Sequence, residues 1–357
     1  MEKLRGPQDR YCGPHALYTD KSRSGKMSFI EAIYEKAKAN KKCIAVPECT
    51  NPSMMRACER AVKAGMAEIV FVGDTSEIQK AANQNQINLS NITVIDINNE
   101  EYKAQLIERY AAIPNMPMGK KSITRRINNP LYMALVMEAV GDIDCTFGGL
   151  DTATYDFIIA ATGVIGLAEG VFAASALMML EIEGFDGVQG NVIGMSDGAI
   201  NTEPESEQLA SIGISCCETF NRVMNQEAKC AYLSYSTDGS GSSPSVVKVQ
   251  NAVKIAKQQR PDLKIDGEFQ ADAALIQRVA DKKIKRDSEV AGKANVLIFP
   301  DAAGCNIGSK LVQLFANCKT YGPIYQGFRL PVLDCSRGDT EERIYDNIAL
   351  CSVLASN

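Results

Sequence analysis

The sequence predicts an α/β protein of two domains, each built on a mainly parallel sheet. Its 357 residues are enough for two cores of ordinary size. Its composition, 45% apolar and 23% charged, is that of a soluble globular protein. Strand-like apolar runs also alternate with segments of helical period, the way βαβ units and parallel sheets read in sequence.

Residues 1–26 are polar, contain Gly and Ser, lack periodicity and precede a second methionine, Met27. They are expected to be a disordered extension or an alternative start, and they hold no apolar run of the kind a signal peptide needs. From Ser28 the pattern turns helical, with Phe29, Ile30, Ile33 and Ala37 on one face. Cys43 to Val46 predicts a short buried strand and Pro52 to Ala64 a second helix. Glu68 to Asp74 and Ile92 to Asp96 predict further strands.

The run Ile158 to Leu180 is apolar and close to the length that spans a bilayer. Glu169 sits in its middle, however, and a charge at the bilayer centre costs roughly 3 kcal/mol. A buried strand and helix of a soluble protein is the expectation, with no membrane partner. Asp197 to Ile200 should end a strand, and Ser206 to Val223 has the pattern of an amphipathic helix.

Next come a strand over Ala231 to Ser236, a glycine-serine loop over Asp238 to Pro244, and a helix through Gln259. A strand that opens through such a loop into a helix is expected to leave unpaired backbone N–H groups facing one spot. Together with the positive end of the helix dipole, they would suit a phosphate. This signal is common in α/β proteins and is weak alone.

Charge and cysteine content narrow the function. A formal net charge of −5 argues against a nucleic-acid partner, whose phosphates need Lys and Arg. Twelve cysteines are scattered without C-x-x-C pairs, so neither a zinc site nor a disulfide framework is indicated. They fit reduced thiols in a cytoplasmic protein. The single histidine, His15, falls in the polar leader, which disfavours a Ser-His-Asp mechanism.

Several motifs in the C-terminal half agree in order and spacing with one family. They are Gln259 to Ala274, Ser288 to Asp301, Asn306-Ile307-Gly308-Ser309-Lys310, Tyr321 to Gly327, and Pro331-Val332-Leu333-Asp334-Cys335-Ser336-Arg337-Gly338. Lys42 to Glu48 and the run to Gly73-Asp74 add to them near the start. The chain resembles the phosphate acetyl/butyryltransferases, the phosphotransacetylases.

That resemblance implies two α/β domains with an active-site cleft between them, in a homodimer. The first domain would comprise 27–170 plus 325–357, the second 171–324. It implies transfer of an acyl group between coenzyme A and phosphate by direct thiolate attack in a ternary complex. Acetyl is the default acyl group, with butyryl or propionyl as alternatives. Coenzyme A is then a substrate, and neither cofactor nor metal is implied.

By resemblance Arg337 would hold the acyl phosphate, its planar fork suiting two phosphate oxygens. Ser336 would bond the reacting sulfur or the tetrahedral oxygen. Gly239, Ser240 and Gly241 would border the phosphate or acyl end, with Asp301, Asn306 and Lys310 nearby. For Asp301 a helix cap, and for Lys310 a solvated charge, are equal alternatives.

The chain departs from the family at several positions. The aspartate that takes the thiol proton falls at Arg343, which cannot act as a base; Asp339 and Glu342 are near in sequence. Two cleft arginines fall at Ile158 and Ile113, with Arg125 and Arg126 as candidate replacements. Cys305 stands where the family has glycine, so a changed loop is expected there. These losses motivate a rival reading, a binding or regulatory paralogue without turnover. A third, a metal-dependent dehydrogenase, would need clustered aspartates, and Asp262, Asp266 and Asp272 have the spacing of turn and helix acids.

Overall fold

The computed structural model describes residues 27–188 and 190–356. The expectations for residues 1–26, including His15, lie outside that range.

The first sheet has five strands, all parallel: β1 (Lys42–Val46), β2 (Ala67–Gly73), β3 (Thr93–Asp96), β4 (Cys145–Gly148) and β11 (Val332–Asp334). Their order, β11-β4-β1-β2-β3, reverses direction between β1 and β4. In such sheets the crevice at the carboxyl ends, beside that reversal, is where ligands bind. Here Glu48, just past β1, fills part of it. Its carboxylate accepts the N–H of Leu150 at 2.6 Å and of Thr152 at 2.8 Å.

Helices cover both faces, and three of them are started by a clear local signal. Asn51 caps α2 (Pro52–Lys63) through the N–H groups of Ser53 and Met54, and Pro52 supplies the first helical residue. Asp74 does the same for α3 (Thr75–Asn85) and Asn99 for α4 (Glu100–Ala111). Two more helices, α5 (Lys120–Arg126) and α6 (Pro130–Ala139), precede β4.

The apolar run tested above as a membrane span divides into α7 (Thr154–Val164) and β5 (Ser175–Glu181). No helix among the described residues is long and apolar enough to cross a membrane.

The second sheet has six strands in the order β10-β5-β6-β9-β7-β8. Beyond β5 these are β6 (Val192–Ser196), β7 (Lys229–Leu233), β8 (Lys264–Phe269), β9 (Val296–Ile298) and β10 (Lys319–Gln326). β5 alone runs against its neighbours, pairing antiparallel with β6 and β10. Helices α8 (Ser206–Met224) and α9 (Pro244–Gln259) pack on this sheet. Short helices α10 (Ala271–Leu275) and α11 (Gln277–Lys283) follow β8, and α12 (Ala302–Ala316) follows β9.

Two helices tie the sheets together. α13 (Glu341–Leu354) packs against α2, α8 and β10, and its Ile344, Ile348, Leu350 and Cys351 are fully buried. α1 (Phe29–Ala39) lies beside α13, yet its Phe29 ring meets Tyr321 of β10 at 4.7 Å and Lys36 reaches the Val223 carbonyl. A single apolar core therefore runs from Ile44 and Phe71 on one sheet to Phe220 and Tyr232 on the other.

Candidate active site

The segment Cys335-Ser336-Arg337 leaves β11 at its carboxyl end, beside β4. Cys335 stays in register, its N–H donating to the Gly148 carbonyl at 2.8 Å. Gly149 makes this approach possible. Its φ is +106°, and a Cβ there would lie 2.5 Å from the Cys335 carbonyl oxygen, far inside van der Waals contact. The chain then turns, and Asp339 fastens the turn by accepting the Ser336 N–H at 2.9 Å. The Ser336 hydroxyl and the Arg337 guanidinium are left exposed and without partners among the described residues.

Both line a cavity of about 440 Å³ with walls from the two sheets. Ala153, Thr154 and Asp334 come from the first side; Ala199, Pro323 and Tyr325 come from the second. Ala199 and Pro323 also border a smaller cavity of about 150 Å³, lined by Asn306 and Lys310 of α12. Lys310 forms no ion pair among the described residues. Two unpaired cations thus face adjoining cavities, which suits a ligand carrying anionic groups.

Asp334 is the carboxylate of this site. It is buried, and the Thr154 hydroxyl donates to its Oδ2 at 3.0 Å. Burial pushes its pKa up to about 7, against the hydrogen-bonding effect of Tyr325 and Thr154 and with help from the charges of Glu48 and Asp339. The Tyr325 hydroxyl is buried beside it with no hydrogen bond of ordinary geometry.

Other expected site residues are placed differently. The N–H groups of Gly239, Ser240 and Gly241 are not free. Gly239 donates to Glu268, Ser240 to the Thr237 carbonyl and Gly241 to the Ser236 hydroxyl. Burial pushes the Glu268 carboxyl up, but the Gly239 and Ser236 hydrogen bonds outweigh it and hold it below the usual range. These three amides are therefore spent on a buried carboxylate and on the loop itself, and none of the three residues lines either cavity.

Asp301 caps α12, accepting the Gly304 N–H at 2.7 Å, and it too stands outside both linings. Cys305 belongs to the first turns of α12 rather than to an altered loop. Its thiol is buried against Gly198, and that burial pushes it up to about 12, so it stays neutral. Arg343 points away to an ion pair with Asp339 at 3.1 Å. Arg126 lies over the Tyr132 ring, and neither it nor Arg125 lines these cavities. Asp266 is tied to Lys257, Arg286 and Ser288, and no group of metal-ligating residues occurs among the described residues.

Asp334, Thr154 and Tyr325 had no role in the sequence-based expectation. A signal for the first existed: an acid at the carboxyl end of a strand in a parallel sheet sits where such folds bind ligands.

Comparison with known proteins agrees with this arrangement. The family described as "Phosphate acetyl/butaryl transferase" matches residues 28–352. The chain is 37% identical to a phosphate acetyltransferase of Thermoanaerobacterium thermosaccharolyticum, spanning 92% of this chain and 100% of that one. It is 38% identical to one from Clostridium acetobutylicum, over 92% and 99% of the two chains. The EutD phosphotransacetylase from Staphylococcus aureus superposes with a TM-score of 0.83 at 29% identity, covering 92% of this chain and 98% of that one. A match along nearly the whole length of both partners, in sequence and in fold, places the chain in the phosphate acetyl/butaryl transferase family.

Proposed function

We propose that the protein is a phosphate acyltransferase, converting acyl-CoA and phosphate to acyl phosphate and coenzyme A, and the reverse. The carrying observation is the pairing of Ser336 with an unpaired Arg337 at the end of β11, facing a cavity walled from both sheets. Arg337 holds the phosphoryl oxygens. Ser336 donates a hydrogen bond to the carbonyl oxygen as it becomes a tetrahedral oxyanion. The thiolate attacks directly, with both substrates bound. Lys310 and Asn306 border the adjoining cavity and offer a second anchor for anionic or amide groups of coenzyme A. Asp301 serves by fixing the helix that carries them. The acyl group is acetyl by the names of the relatives, with propionyl and butyryl as alternatives.

The same reading takes the chain as two domains, 27–170 with 325–357 and 171–324, around this cleft. Strand membership supports it, with β10 crossing the boundary at 325. A homodimer is supported by the apolar stripe of Ile307, Leu311, Leu314 and Phe315, which α12 leaves exposed. A cytoplasmic location is supported by the free state of every described cysteine.

The test is thioester formation, followed by ultraviolet absorbance, from coenzyme A with acetyl, propionyl or butyryl phosphate. Wild type should turn over, and Arg337→Ala should lose about 10²-fold or more. Ligand binding without turnover by folded wild type would instead establish the binding or regulatory paralogue.

A further inference from the structure

Attack on an acyl phosphate requires the thiol to lose its proton, and a thiol with an ordinary pKa of about 8.5 is mostly protonated at neutral pH. A positioned acceptor is therefore needed. Asp339 is committed, with Oδ2 on the Ser336 N–H and Oδ1 on Arg343. Glu48 is committed to two N–H groups beneath the site. Asp197 accepts three N–H groups and the Asn201 amide. Among the described residues that line the two cavities, one carboxylate remains, Asp334. It shares the larger cavity with Ser336 and Arg337, and Thr154 holds only its Oδ2.

We propose that Asp334 is the proton acceptor of this enzyme, an inference that rests on the acyltransferase reading above. The thiol proton passes to the Asp334 carboxylate. The thiolate forms a C–S bond to the acyl carbon, and the C–O bond to phosphate breaks. The leaving phosphate takes the proton back from Asp334, so acyl phosphate and thiol give thioester and hydrogen phosphate. Thr154 is a positioning residue, aiming the carboxylate through its hydroxyl.

The groups facing Asp334 are consistent with this task. Tyr325 and Thr154 adjoin it, Glu48 and Asp339 lend negative charge, and Arg337 shares its cavity. Burial with like charges nearby keeps the carboxyl basic enough to take a proton near neutrality.

The experiment is the pH profile of kcat with coenzyme A and acetyl phosphate. It compares wild type, Asp334→Asn and Thr154→Val, with circular dichroism to verify folding. Wild type should rise with pH through a midpoint near 7 and level off above about pH 8. Asp334→Asn should lose about 10²–10⁴-fold at neutral pH. It should recover as pH approaches the thiol's own value, since there coenzyme A ionises unaided. Thr154→Val removes a bond that favours the charged carboxylate, so its midpoint should move to higher pH. An Asp334→Asn enzyme as active as wild type, or one folded and equally impaired at every pH, would overturn the assignment and leave the transferase standing. Absence of turnover in folded wild type would instead overturn the transferase reading itself.

Discussion

Ser336 and Arg337 could be found in the sequence because they are adjacent and sit inside a long motif. What holds them could not, because it comes from across the chain. Gly149 is the clearest case: its positive φ and the 2.5 Å approach to Cys335 leave no room for a side chain. Gly149→Ala should destabilise the protein by about 1–3 kcal/mol through overpacking, with added backbone strain. Turnover should fall further than the loss of stability explains, because β11 and Ser336 must shift to make room. Denaturant titration and turnover measured on the same preparation test both effects; a variant with wild-type stability would show that the backbone yields freely there. The same distance in sequence hid Asp334, whose partner Thr154 lies 180 residues away. It also misled the reading of the glycine-serine loop. Its amides looked free until Glu268, a further strand along, is seen to accept one of them.

Elements were more legible than their pairing. The helices that begin near Ser28, Pro52 and Ser206 and the strands near Cys43, Glu68 and Ile92 follow from apolar period, and caps such as Asn51 and Asp74 likewise act over three or four residues. The reversal of β5 carries no local signature, since a strand buried on both faces reads alike in either direction. α12 shows a second limit. Its Cys305 and Ser309 pack inward and its Asn306 and Lys310 border a cavity, while Ile307, Leu311, Leu314 and Phe315 stay exposed, the last two at 76% and 83%. The 3.6-residue period explains why one side of the helix is buried, but the apolar stripe on the other side needs a covering surface. If a second copy covers it, wild type should sediment as a dimer. Leu314→Asp should then sediment as a monomer, with its helix content unchanged. A monomeric wild type at micromolar concentration would rule out the homodimer.

For the whole molecule, burying Asp334 beside the cavity it lines has a cost in stability that depends on pH. Its carboxyl rises from the usual 3.8 to about 7. Asp346, buried beside Tyr34, rises to about 6 through burial, against the Tyr34 hydrogen bond. A raised carboxyl favours the folded state at low pH. That contribution is fully present below about 4 and is lost as pH climbs through the folded value. Asp266 acts in the opposite sense. Burial raises its carboxyl, but Arg286, Lys257 and Ser288 outweigh it, so its contribution is present above the usual value and is lost in acid. Stability should therefore peak in mildly acidic solution, decline through about pH 7 and level off above it. Asp334→Asn isolates one part of that decline. The amide resembles the protonated acid in shape, so the variant should be more stable than wild type. Its advantage should widen by on the order of 2–3 kcal/mol between about pH 5 and about pH 8, then level off. Chemical denaturation of both proteins across that range measures the difference directly. A difference that does not change with pH would mean that Asp334 titrates as an ordinary carboxylate. A widening one would show that the fold gives up stability to keep a titrating carboxylate beside Ser336 and Arg337, and that the loss is greatest in the range where the thiol must be ionised.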